Sequence, residues 1–143
     1  MPDWQQSAGV PPAAGTQQTG RGVPDVAALA DPETPFAIVQ PNGSVRGVGG
    51  TSAAAPLWSA LIARLNQALG TRVGYLNALL YAHMSSGVLR DITEGGNGSY
   101  QAGPGWDPCT GFGAPGADTL LQALQAINAA GGAAAGGGGT PAP

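Results

Sequence analysis

An α/β domain is the fold class this sequence predicts, and three observations predict it. Two β-rich runs, Phe36-Ala37-Ile38-Val39 and Val45 to Val48, flank a turn. Three stretches with apolar residues at helical spacing follow. Charged residues make up only 9% of the chain, against a typical ~25%, beside 43% hydrophobic ones. That balance calls for a buried, layered interior rather than a solvated surface.

The 143 residues allow one domain. Residues 1–24 carry no period and read as loop. Val23 to Ala30 reads as a short buried strand or the approach to one, and Asp31-Pro32-Glu33-Thr34-Pro35 as a turn. Residues 36–48 read as a β-hairpin. Pro41 presets φ, and Asn42-Gly43 tolerates the positive φ that a tight reversal needs. A long helix follows, with Leu57, Trp58, Leu61, Ile62, Leu65 and Leu69 on one stripe and Ala60 and Ala63 opposite. A helix apolar on one side and small on the other suits a layered interior. Gly70 ends it. Tyr75 to Met84 reads as a second helix, with Leu76, Leu79 and Leu80 apolar. Residues 91–116 read as a Gly-rich loop. Asp118 to Ile127 reads as a last helix, with Leu120, Leu121, Leu124 and Ile127 inward. The strands are too few for a sheet of their own.

Glycine (25) and proline (13) supply more than a quarter of the chain. They cluster at turns and at the C-terminus, so the low-complexity signal is confined to 129–143, AAGGAAAGGGGTPAP. That segment cannot bury a core and is predicted to be a disordered tail or linker. Residues 1–128 are the folded part.

The charges exclude whole classes of partner. All five basic residues are arginines, spread singly, against eight carboxylates, for a net charge of −3. This provides no basic patch for nucleic acid and no polybasic membrane anchor. No apolar run reaches the ~18 residues of a membrane-spanning helix. Met1-Pro2-Asp3-Trp4 has neither the charged n-region nor the apolar h-region of a signal peptide. Cys109 stands alone, so no intrachain disulfide forms.

The chemistry concentrates at Gly49-Gly50-Thr51-Ser52-Ala53-Ala54-Ala55-Pro56, which leads into the long helix. Two glycines let the backbone turn sharply and let another segment approach closely. Ser52 then sits at a helix N-terminus, where backbone N–H groups are unpaired and the dipole is positive. An oxyanion is well stabilised there. Ala53 to Ala55 keep the approach open. Pro56 is read as a first-turn residue with no N–H partner to lose, while Ala55, preceding it, resists helical φ/ψ. The plainer reading is that Ser52 or Thr51 is an N-cap.

This motif resembles the nucleophile segment of the sedolisins, the serine-carboxyl peptidases with a subtilisin-like fold. The resemblance continues in Gly20-Arg21-Gly22-Val23-Pro24-Asp25-Val26-Ala27 with Ala30-Asp31-Pro32, and in Gly74-Tyr75-Leu76-Asn77. Arg90-Asp91-Ile92-Thr93-Glu94-Gly95 and Ala102-Gly103-Pro104-Gly105-Trp106-Asp107-Pro108-Cys109-Thr110-Gly111 resemble the family's calcium loop. The likeness is to kumamolisin-type members and covers roughly residues 2–128. It implies the C-terminal portion of a subtilisin-like three-layer fold with a parallel sheet, plus a Gly-rich calcium loop.

The resemblance implies an acid-acting, secreted serine endopeptidase with Ser52 as nucleophile and polypeptides as substrates. The family's general-base glutamate, the aspartate that orients it and the oxyanion aspartate fall before the start of this chain. Only Ser52 of the catalytic set maps onto it. Asp25 and Asp31 match positions outside that set and are expected to hold turns. His83 reads as a helix C-terminal cation. The resemblance further implies one calcium ion held by the Asp91 and Asp107 side chains and the carbonyls of Ile92, Gly103 and Gly105. Calcium's demand for six to eight hard oxygens suits such a glycine-rich curl, and Cys109 beside it reads as a buried thiol rather than a ligand. The missing part of the domain is the implied partner. In its absence apolar faces such as Leu57/Leu61/Leu65 are expected to stand exposed. Two other readings remain open at this point. One is an inactive calcium-binding remnant that acts only with an N-terminal half; the other is a subtilisin-type fragment.

Overall fold

A computed structural model describes residues 1–83 and 87–135. The chain opens with a 3₁₀ turn, Asp3–Ala8, closed by Gly9 at φ 67°. Sequence periodicity gave no sign of it, because tertiary contacts hold it: Gln5 is fully buried and the Trp4 ring lies 4.7 Å from that of Tyr81. The hairpin forms as expected. β1 (Phe36–Val39) and β2 (Val45–Val48) pair antiparallel, with Phe36 opposite Val48 and Val39 opposite Val45. Gly43 takes φ 80° in the turn, and Asn42 Oδ1 accepts the Ser44 N–H at 3.0 Å.

α1 (Thr51–Leu69) follows directly, ended by Gly70 in the left-handed region. It is continuous through Ala55, so the proline does not delay the helix start. Pro56 therefore lies in the second turn, where its missing N–H leaves the Ser52 carbonyl without its helical donor. α2 (Leu76–His83) is shorter than the expected 75–84, and Met84 lies outside the described residues. β3 (Leu89–Arg90) pairs antiparallel with β4 (Ala114–Pro115) across the Gly-rich loop. α3 (Ala117–Ala135) runs eight residues past the expected Ile127. Alanines at 129, 130 and 133–135 propagate a helix already nucleated on the core, which outweighs the ~1 kcal/mol that each of Gly131 and Gly132 costs. The rest of the expected tail, 136–143, lies outside the described residues.

The parallel sheet that the resemblance implied is not formed: both sheets among the described residues are two-stranded and antiparallel. Parallel pairing needs a crossover of a dozen or more residues between strands. Val23 to Ala30, the candidate for such a strand, stays extended and makes only isolated backbone bonds, including Ala27 N–H to Gly113 O and Phe112 N–H to Asp25 O, each 2.9 Å.

The core is built by the C-terminal half of α1, by α2, by the β3–β4 pair and by α3. It comprises Leu65, Leu76, Leu80, Tyr81, Val88, Leu89, Phe112, Leu120 and Leu124. The expected stripe of α1 is thus split. Leu65 is in the core at 3% exposure, Leu61 is half-buried, and Leu57 stands out at 39%. Ile38, Val39 and Val45 of the hairpin are exposed as well. Leu121 and Ile127 are half-buried rather than fully inward. No helix among the described residues is long and apolar enough to cross a membrane.

Candidate active site and calcium loop

The turn from β2 into α1 admits only glycine. A Cβ on Gly49 would lie 2.8 Å from Pro32 Cα, and Gly50 takes φ 87°. Gly50 is the N-cap, and no side chain caps the helix, so neither Ser52 nor Thr51 is a capping residue. Ser52 is the second helical residue and is exposed. Ala53 N–H donates to Gly50 O at 2.9 Å and Ala54 N–H to the same oxygen at 3.4 Å. The Ser52 N–H precedes them and, in the first turn, has no intrahelical acceptor. Ser52 faces an open apolar groove of about 440 Å³ between the hairpin and α1, walled by Phe36, Ile38, Val48, Pro56 and Leu57.

No base accompanies the serine. Among the described residues the Ser52 hydroxyl has no hydrogen-bond partner. Asp31 holds the 31–34 turn, as expected, by accepting from Glu33 N–H at 2.9 Å and Thr34 Oγ1 at 3.0 Å. His83 sits in the last turn of α2, where it complements the helix C-terminus.

Asp25 holds no turn. Its carboxylate accepts from Arg21 Nη2 at 2.5 Å, Asn77 Nδ2 at 2.7 Å and the Tyr81 hydroxyl at 2.8 Å. Gln5 Nε2 donates to the same Tyr81 oxygen at 2.7 Å. The signals were present in the sequence. A carboxylate inside an apolar run needs partners, Arg21 precedes it by four, and Asn77 and Tyr81 are four apart on one helix face. Burial, reinforced by the hydrogen bond to Asp25, pushes the Tyr81 phenol from 10.0 up to about 12. A raised phenol pKa favours the neutral form in the fold, so its contribution to stability is complete below about pH 10 and is lost as pH climbs toward 12. Ultraviolet titration is expected to show the Tyr81 phenol ionising late, toward pH 12, coincident with loss of helical signal. Tyr81→Phe removes that late phase; a late phase unchanged in Tyr81→Phe would contradict it.

Each of the two expected metal-ligating aspartates is tied to the glycine backbone of the loop. Asp91 Oδ2 accepts the Gly105 N–H at 2.8 Å. Asp107, buried at 5% exposure, accepts the N–H groups of Cys109 and Thr110, each at 2.8 Å, and of Gly103 at 3.3 Å. Gly105 takes φ 83°, and space is open where a Cβ of Gly103 or Gly105 would stand. Among the described residues no three His, Cys, Asp or Glu side chains cluster as a metal site. A site here must therefore draw on carbonyls. This oxygen-only set, two carboxylates tied to one curled glycine backbone, fits a hard cation. Cys109 is half-buried and its thiol donates to Tyr100 O at 3.3 Å, away from any ligand role.

Known proteins resemble this chain over most of its length. Kumamolisin from Bacillus sp. (strain MN-32) is 54% identical over 131 residues, covering 87% of this chain. The chain belongs to the sedolisin family. Tripeptidyl-peptidase sed1 from Aspergillus fumigatus is 40% identical over 117 residues, and Tripeptidyl-peptidase 1 from Homo sapiens 34% over 129; they cover 76% and 80% of the chain. Among solved structures, Pseudomonas sedolisin, a serine-carboxyl proteinase complexed with two molecules of pseudo-iodotyrostatin, superposes with a TM-score of 0.72 at 31% identity. That match covers 92% of this chain and 34% of the other. No protein-family model matches. This sedolisin chain spans 23% of kumamolisin's length, 17% of the fungal enzyme's and 22% of the human one's, so it corresponds to part of the family's α/β domain.

Proposed function

We propose that this chain is the nucleophile- and calcium-bearing part of an acid-acting sedolisin-type serine endopeptidase. The observation that carries the reading is Ser52 itself: uncapped, exposed, second in its helix, with a free N–H beside an open groove. Ser52 Oγ attacks the peptide carbonyl, and its own N–H helps hold the oxyanion. The glutamate that takes the proton, the aspartate that orients it and the second oxyanion donor belong to the rest of the domain. A carboxyl donates to an oxyanion only when protonated, which sets the acid preference. The chain joined to the remaining portion of a sedolisin domain is expected to cleave denatured protein at about pH 4. Ser52→Ala is expected to abolish that cleavage; an active Ser52→Ala form would remove the nucleophile assignment.

A second reading, an inactive calcium-binding remnant, is favoured by the lack of any base on the Ser52 hydroxyl among the described residues. The same experiment bears on both readings: a piece that acts only with an N-terminal half gains cleavage when the domain is completed, whereas a dead calcium-binding remnant does not.

Calcium, when bound, supplies a fixed positive centre for the loop. Asp91, Asp107 and the carbonyls of Ile92, Gly103 and Gly105 are the residues to hold it. A ligand that binds only the folded loop stabilises it by about 2.7 kcal/mol at 100 times Kd. Saturating calcium is therefore expected to protect 91–135 from proteolysis. Asp107→Ala is expected to abolish the gain, and magnesium to substitute poorly, because it demands tighter octahedral geometry. Equal cleavage in calcium and in chelator would return both aspartates to turn-holding.

A further inference from the structure

We propose that Asp25 is a positioning residue for the nucleophile: it clamps the extended segment 25–30, which in turn holds the turn that carries Ser52. The inference rests on the reading of Ser52 as nucleophile.

The connections form an unbroken series. At one end, the Asp25 carboxylate is gripped by Arg21, Asn77 and Tyr81, which fixes the segment to α2. The Asp25 carbonyl accepts Phe112 N–H, and Ala27 N–H donates to Gly113 O, both at 2.9 Å, which fixes it to the end of the Gly-rich loop. Gly111 lies so close that a Cβ there would overlap the Asp25 carbonyl. In the middle, Ala27 O accepts the Trp58 indole N–H of α1 at 3.1 Å. At the far end, Ala30 O accepts the N–H of Gly50, the N-cap of α1, at 2.6 Å, two residues before Ser52. Gly49 packs its backbone against Pro32. The helix start has no side-chain cap of its own, so this external hold is what orients its first turn. Asp25 touches no reacting atom; it acts through the backbone it anchors.

Two reporters read this hold directly in the chain as it stands: hydrogen exchange of the Gly50 amide and the indole N–H resonance of Trp58. The Leu120 amide in α3, bonded to Gly116 O at 2.9 Å, is the internal control. Asp25→Ala is expected to speed Gly50 exchange by roughly tenfold relative to Leu120 and to shift the Trp58 indole resonance. Asp25→Asn keeps one acceptor oxygen and is expected to restore most of both signals. Should Asp25→Ala fail to fold, Tyr81→Phe removes a single partner and is expected to move the same two reporters in the same direction by less. Gly50 and Trp58 unchanged, or moving only as much as Leu120, would overturn the proposal. Neither reporter depends on peptidase activity. An inert Asp25 therefore leaves the nucleophile reading standing, and an active Ser52→Ala domain leaves the clamp standing.

Discussion

Purified chain incubated with denatured protein at about pH 4 is expected to release no peptide above a Ser52→Ala control. The reason is local and geometric. A serine hydroxyl is a poor nucleophile until a base takes its proton, and the Ser52 hydroxyl has no hydrogen-bond partner among the described residues. Four of the eight carboxylates are engaged elsewhere: Asp25 on Arg21, Asn77 and Tyr81, Asp31 in its turn, Asp91 and Asp107 in the loop. Losing a member of such a catalytic set costs on the order of 10⁴-fold or more. Residual binding in the apolar groove beside Ser52 does not compensate, because substrate binding alone lowers no barrier. A Ser52-dependent rate from the chain by itself would show that one of its own groups reaches the serine as a base.

Leu120→Ala is expected to destabilise the chain by about 3 kcal/mol, within the usual range for a buried leucine, while Leu57→Ala changes it by less than about 0.5 kcal/mol. Urea unfolding followed by circular dichroism measures both. Leu120 is fully buried where α3 meets the core, and truncation leaves a cavity that a close-packed interior does not refill. Leu57 is 39% exposed, at the wall of the open groove between the hairpin and α1. The two leucines look alike in sequence, each on an apolar helical stripe. In a completed sedolisin domain Leu57→Ala is expected to become costly, since Leu57, Ile38, Val39 and Val45 then acquire an apolar partner. Equal effects of the two substitutions in the isolated chain would mean that the Leu57 face is already covered.

Much of the local structure was legible before any coordinates. The hairpin followed from β-rich runs around Pro41-Asn42-Gly43, because turn chemistry acts over a few residues. The start of α1 at a Gly-Gly turn followed from glycine geometry and from the family motif, and the pairing of Asp91 with Gly105 in one loop from the resemblance alone. The extent of α3 was misjudged: composition marked 129–135 as tail, while a helix nucleated upstream carries through alanines.

The sequence alone determined the Gly-Gly turn that carries Ser52, the family and the elements whose bonds close within a few residues. Tertiary structure alone decided which half of the α1 stripe is core, that Val23 to Ala30 joins no sheet, and that the Asp25 carboxylate is held by Arg21, Asn77 and Tyr81 rather than holding a turn. The physical reason is range. Backbone dihedral preferences and turn bonds are written in neighbouring residues, whereas burial and buried-charge pairing depend on what arrives from elsewhere. Asp25 meets Asn77 and Tyr81 from 52 and 56 positions away: its need for partners is legible locally, but which partners arrive is not.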